Sequence, residues 1–309
     1  MAGNFFKIAT PFNEQYTLLI ESDMMAVHAK MQSKTQIRWD FTVLDVTGEY
    51  AEIRLILLDH LLLEANNPLI KEIAAVTKVF SRLYNELHLI IDHAGSIKRV
   101  LNMEVILSKW QQTKAEMEKL VKHTPDVQNV INLNDSIFQN PDRLKEGIQK
   151  SEFFMVYFSY LFGKAIPYES NNVISPNAFN TVNVKWGMGI STLQALPAEK
   201  VQLSMRMRPF LQSDFNERAY SQFADKIDIK KLIPELKEEA IYNVNYTQGR
   251  VLDAVLQKQE VAHENQLYNK LTYRLTSDTA IKEKRLKESS SASKKNSIIV
   301  EIAEVNVLK

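Results

Sequence analysis

The chain has 309 residues, 45% of them hydrophobic and 24% charged, a balance ordinary for a globular protein with a sizeable core. Lys plus Arg number 38 against 37 Asp plus Glu, and the resulting net charge of +1 gives no global field to draw nucleic acid or an anionic membrane. The absence of cysteine excludes disulfides, thiolate metal sites, iron–sulfur clusters and cysteine nucleophiles, and a glycine count of 8 works against folds built on glycine-rich phosphate loops.

The opening MAGNFFKIATPFNEQY has Lys7 as its single early positive charge and no sustained apolar run before Pro11, so it does not read as a signal peptide. Residues 1–13 read as an irregular arm. Gln15 to Ile20 is a short strand, with Met24 to Met31 as its partner. Thr35 to Val46 alternates, with Ile37, Trp39, Phe41 and Val43 on one face. A turn at Thr47-Gly48-Glu49 returns the chain through Tyr50 to Leu58, giving a long hairpin. Asn66-Asn67-Pro68 opens a helix, where the missing proline N–H is harmless, and Leu69, Ile70, Ile73, Val76, Phe80 and Leu83 recur at helical spacing.

Leu87 to Leu101, LHLIIDHAGSIKRVL, reads as a β-hairpin turning at Ala94-Gly95, and Lys109 to Lys122 as an amphipathic helix ended by Thr124-Pro125-Asp126. Residues 124–151 form a polar but packed linker. Beyond it, Glu152 to Phe162 is a buried helix or strand, with helical spacing fitting slightly better. Asn180 to Met188 and Lys200 to Met207 read as strands, and Asp214 as the N-cap of a helix to Ala224. Asp228 to Ala240 reads as a helix interrupted at Pro234. Ile241 to Tyr246 and Arg250 to Gln257 form a hairpin about Gly249. Strands at Gln266 to Thr276, Thr279 to Lys287 and Ser297 to Val307 finish the chain, the last two joined by a solvated tip at Ser289 to Ser297.

Ile91-Asp92-His93-Ala94-Gly95-Ser96-Ile97-Lys98-Arg99-Val100-Leu101-Asn102, with Ser108-Lys109-Trp110 and Lys114 after it, resembles uncharacterised β-rich proteins of Bacteroidota. In those a D-x-x-G-x-I-x-x-I-x-N hairpin leads into a helix carrying Trp; here Asn102 follows Leu101 directly. The resemblance implies an antiparallel sheet with a docked helix and carries no activity.

These elements predict an α+β protein of two lobes, each a curved antiparallel sheet with helices on one face, in a half-barrel or clam-like arrangement. The N-terminal lobe spans 1–123 and the C-terminal lobe 152–309. Each lobe runs strands, helix, then a hairpin turning at Gly95 or Gly249, a pattern-level repeat.

The sequence offers no reactive cluster. Asp59-His60 and Asp92-His93 are its adjacent acid–histidine pairs, and there is no HExxH, G-x-S-x-G or complete phosphate-loop motif. Gly187-Met188-Gly189 supplies two glycines without a third and reads as a strand end or bulge. The basic cluster Lys282, Lys284, Arg285 and Lys287, then Lys294-Lys295, is interleaved with Glu283 and Glu288 and lacks aromatics, which fits a solvated edge better than a nucleic-acid site.

The expectation is therefore a non-enzymatic cytoplasmic interaction or adaptor protein, a component of a larger assembly. It needs no catalytic, metal or cofactor residue, binds no nucleic acid and has no integral membrane segment. Its partner surface would be Phe153, Phe154, Tyr157 and Phe158. The alternative is a carrier of an apolar small molecule or lipid, lined by Ile37, Trp39, Phe41, Ile53, Leu55 and Leu57.

Overall fold

The computed structural model describes residues 5–121, 126–197 and 199–286. Its strands are β1 (Phe12–Ala26), β2 (Ala29–Thr47), β3 (Tyr50–Ala65), β4 (Glu86–Asp92), β5 (Ile97–Val100), β6 (Tyr168–Pro176), β7 (Asn183–Ala195), β8 (Lys200–Phe210), β9 (Glu235–Asn245), β10 (Arg250–His263) and β11 (Leu267–Ser277). The helices are α1 (Pro68–Ser81), α2 (Met103–Val121), α3 (Asp126–Phe138), α4 (Pro141–Gln149), α5 (Glu152–Tyr157), α6 (Phe215–Tyr220) and α7 (residues 278–286).

All eleven strands belong to one antiparallel sheet, in the order β5-β4-β3-β2-β1-β11-β10-β9-β8-β7-β6. The sheet is open, with β5 and β6 as its edges. This overturns the two-lobe expectation. The seam is β1, which pairs with β2 from Phe12↔Val43 to Ala26↔Ala29 and with β11 from Tyr16↔Ser277 to Ala26↔Leu267. The first and last described strands thus fuse the two halves into one sheet. A pairing between residues so far apart leaves no local mark in the sequence.

The core lies on one face. Period-two alternation puts Tyr16, Leu18, Phe41, Ile53, Leu89, Leu256 and Leu275 inward, all buried in a single apolar cluster. The covering layer is the aromatic segment of α5 and the residues after it. Phe153 and Tyr157 lie 5.6 and 5.2 Å from the Phe41 ring, and Tyr16 lies 5.5 Å from Tyr157. The polar tips are satisfied. Tyr16 donates to the Val251 carbonyl at 2.7 Å, and the Val251 N–H donates to the Tyr157 hydroxyl at 3.3 Å.

Several local expectations hold, among them α1 at Pro68 and the 87–101 hairpin, seen as β4 and β5. Others do not. The arm is packed: Phe6 is buried and Phe5 bridges Ala165. The segment 228–240, rich in helix formers, is a short 3-10 turn followed by β9, because Leu236, Ala240, Tyr242 and Val244 alternate inward. Residues 279–286, expected as a strand, are helical. The linker holds α3 and α4, whose Phe138 stacks on Trp110 at 5.0 Å. The tip at 289–297 and the strand at 297–307 fall outside the described residues.

Candidate functional site

The two expected surfaces turn out to be one. Ile37, Phe41, Ile53 and Leu55 are buried, while Trp39 and Leu57 are half-buried. Phe153, Phe154, Tyr157 and Phe158 are buried as well, with Phe153 on Trp39 at 6.1 Å and on Phe41 at 5.6 Å. The face expected to hold an apolar ligand is filled by the rings expected to hold a partner.

Asp92 and Asn102 of the 91–102 stretch, and Trp110 after it, are employed in structure. Asp92 accepts from the Ala94 and Ser96 N–H groups at 2.9 Å and pairs with Lys98 at 2.8 Å. Asn102 accepts from the His88 N–H at 3.0 Å and donates to the Glu86 carbonyl at 2.8 Å. Trp110 donates to Asp135 at 2.8 Å. Asp59 and His60 do not converge: Asp59 pairs with Arg38 on the outer face, while His60 lies opposite Ile37 on the core side. Burial holds His60 below the usual histidine range. No cluster of three or more metal-ligating side chains occurs among the described residues.

The buried carboxylates are also used up. Glu238 is bonded by Tyr160 and pairs with Lys258 at 3.0 Å. Glu260 accepts from Tyr220 at 2.7 Å, Asn177 at 2.9 Å and the Ala178 N–H at 2.7 Å, tying α6 and the loop at 177–181 to β10. Burial raises the Glu260 carboxyl above its ordinary value, and those donors oppose the rise.

What stands out lies on the opposite side of the sheet. In β7, Val184, Trp186, Met188 and Ile190 point into the core, which turns Gly187, Gly189 and Ser191 outward. In β8, Leu203, Met205 and Met207 point inward, which turns Ser204, Arg206 and Arg208 outward. The register pairs Gly187 with Arg208, Gly189 with Arg206 and Ser191 with Ser204. On the other flank, β6 sets Glu169 opposite Gly189. A groove of about 610 Å³ lies over the two glycines.

Its ends differ. At Gly187 a Cβ would stand 2.9 Å from the Asn171 Oδ1 and 3.4 Å from the Phe210 ring, so glycine admits those two side chains. At Gly189 a Cβ would meet nothing within 4 Å. Nothing in the fold calls for glycine there, and glycine weakens a strand interior by roughly 0.5–1 kcal/mol relative to alanine. Such a position commonly marks the close approach of another backbone or a ligand.

The polar walls are unspent. Arg206 and Arg208 are exposed, and neither guanidinium has a hydrogen bond or ion pair among the described residues. Ser204 lines the groove at 9% exposure, and its hydroxyl is likewise unpartnered. Besides the arginines and the two serines, the lining holds Glu169, Tyr168 and Asn171. A larger hollow of about 1030 Å³ lies between α7 and β9 to β11. There part of the polar lining is already paired: Lys200 meets Glu283 at 2.6 Å and Asn243 donates to Asp253 at 2.8 Å.

Sequence reading passed over the groove. Gly187-Met188-Gly189 reads as a strand end or a bulge; it lies inside β7, at the point where the β6–β7 register shifts between Ser170↔Met188 and Val173↔Trp186. The signal that finds it is G-x-G and R-x-R in two alternating segments, because residues two apart share a strand face. No helix among the described residues is long and apolar enough to cross a membrane. Comparison with protein-family models finds no match, and comparison with curated proteins finds none either.

Proposed function

We propose that this chain is a non-enzymatic interaction protein, an adaptor within a larger assembly, and that it holds a partner segment in the groove over Gly187 and Gly189. The observation that carries the reading is the pair of unpaired guanidiniums, Arg206 and Arg208, beside a strand glycine with open space above it. Arginine is the side chain best suited to forked recognition at an interface. The cytoplasmic setting belongs to this reading and rests on the sequence alone. An apolar carrier would require α5 to vacate the core face, whereas the groove accepts a partner with no rearrangement.

The test is a peptide-display selection against the purified chain, with Gly189→Trp as the counter-target. A Cβ at Gly189 meets nothing within 4 Å, so the substitution starts without a clash and projects its indole into the groove, and circular dichroism checks that the variant keeps the fold. Peptides that bind the wild type and are lost on Gly189→Trp support the reading. No enriched peptide, or peptides retained equally by the variant, overturn it.

A further inference from the structure

Resting on the groove as partner site, we infer that the segment it accepts is an extended, acidic peptide with two carboxylates two residues apart. Arg206 and Arg208 are alternate residues of β8 on one face, so their Cα atoms stand about 6.8 Å apart. An extended peptide repeats its side chains on one face at the same interval. A Glu-x-Glu or Asp-x-Asp segment laid along β8 therefore matches the arginines one to one. The glycine floor is the second part of the match. Without a Cβ at Gly189, where the space is open, a peptide backbone can settle onto the sheet while its carboxylates reach sideways to the guanidiniums. A bulky organic anion would use the arginines without using the floor.

The remaining walls fix the direction of approach. Glu169 stands across Gly189 from Arg206 and repels a carboxylate, while Glu239 on the β9 side of Arg206 is paired with Lys237 at 2.8 Å, so the acidic side chains turn toward the arginines of β8. Ser204, whose hydroxyl has no partner among the described residues, lies opposite Ser191 at the end of the arginine row. It supplies a donor or acceptor for the peptide main chain. Phe210 leans over Gly187 and closes the other end.

The direct test titrates the full chain with two capped peptides, Ala-Thr-Glu-Thr-Glu-Thr-Ala and the same peptide with both Glu replaced by Gln, following backbone amide shifts by NMR. The expected result is shifts confined to β6, β7 and β8 with the Glu peptide, and about tenfold weaker binding with the Gln peptide. Arg206→Gln with Arg208→Gln lowers affinity for the Glu peptide about tenfold and leaves the Gln peptide unaffected. The inference is overturned if the two peptides bind alike, if neither binds, if the shifts lie elsewhere, or if inorganic phosphate produces the same shifts at equal concentration. The display selection separates this inference from its parent. Groove-dependent peptides without acidic pairs would sink the acidic partner and leave the groove standing, whereas no groove-dependent peptide at all would remove both.

Discussion

Gly95→Ala tests how the aromatic segment is seated on the sheet. Gly95 turns the β4–β5 hairpin with φ +76°, and a Cβ there would stand 2.6 Å from the Cδ1 of Phe158 and 2.7 Å from its Cβ. Two costs follow. A non-glycine residue in the left-handed region loses about 1–2 kcal/mol. Forcing a methyl against a buried ring that cannot retreat costs about 1–3 kcal/mol more. Phe158 has no room to move, since it packs on Phe154 at 5.2 Å, Phe162 at 4.9 Å and Tyr157 at 4.7 Å. The control is Gly48→Ala. Gly48 has φ +61°, with nothing within 4 Å of its added Cβ, so that variant carries the backbone cost alone. Equilibrium urea unfolding of both variants should place Gly95→Ala about 1–3 kcal/mol below Gly48→Ala. Equal losses would refute the seating of Phe158 on the hairpin.

Three further outcomes follow from single side chains. Gly189→Val should raise stability by up to about 1 kcal/mol in the same unfolding assay, the span of strand propensity, while Gly187→Val should lower it because Asn171 and Phe210 occupy the space. A loss at Gly189→Val would show that the position serves the fold instead of a ligand. Lys164 is pushed down to about 8 by burial, from an ordinary 10.5. The folded state thus prefers the neutral amine, so this destabilisation is greatest below 8 and disappears as pH rises past 10.5. Lys164→Met should be more stable than wild type at pH 7, with the gap closing by about pH 10.5; a pH-independent gap would contradict this. Lys114 beside Asp135 holds its carboxyl below the usual value of 3.8. Its stabilising effect is present above that value and lost as pH falls through the lower folded one. Trp110 fluorescence, isolated by replacing Trp39 and Trp186 with Phe, should change in that acid range and be unaffected there in Asp135→Asn. An identical acid transition in that variant would rule out Asp135 as its source.

Much of the local structure was legible in the sequence. The alternation of Ile37, Trp39, Phe41 and Val43 gave the inward face of β2, and Asn66-Asn67-Pro68 marked the start of α1. Two kinds of information were not. Long-range pairing, above all β1 with β11, depends on which strand edges meet after collapse, and no periodicity records it. The second is competition between propensity and pattern. Glu235, Lys237, Glu238 and Glu239 favour a helix, yet Leu236, Ala240, Tyr242 and Val244 bury one face of a strand. Tertiary burial won there, as it does wherever a half-buried sheet position is on offer. The groove was hidden for a third reason. Its chemistry lies in a residue type chosen for what it lacks, and Gly189 acquires meaning once Arg206 and Glu169 stand on either side of it.

The central structural claim is that β1 and β11 join both halves of the chain into one sheet over one core. Amide hydrogen exchange of Thr17 to Ile20 and Tyr273 to Thr276 tests it most directly, because inner strands exchange through global opening while edges fray locally. The fold described here requires these amides to be among the slowest in the molecule and to share one opening free energy with Leu89 in β4 and Tyr242 in β9. Fast exchange in either strand, or separate opening energies for the two halves, would contradict it.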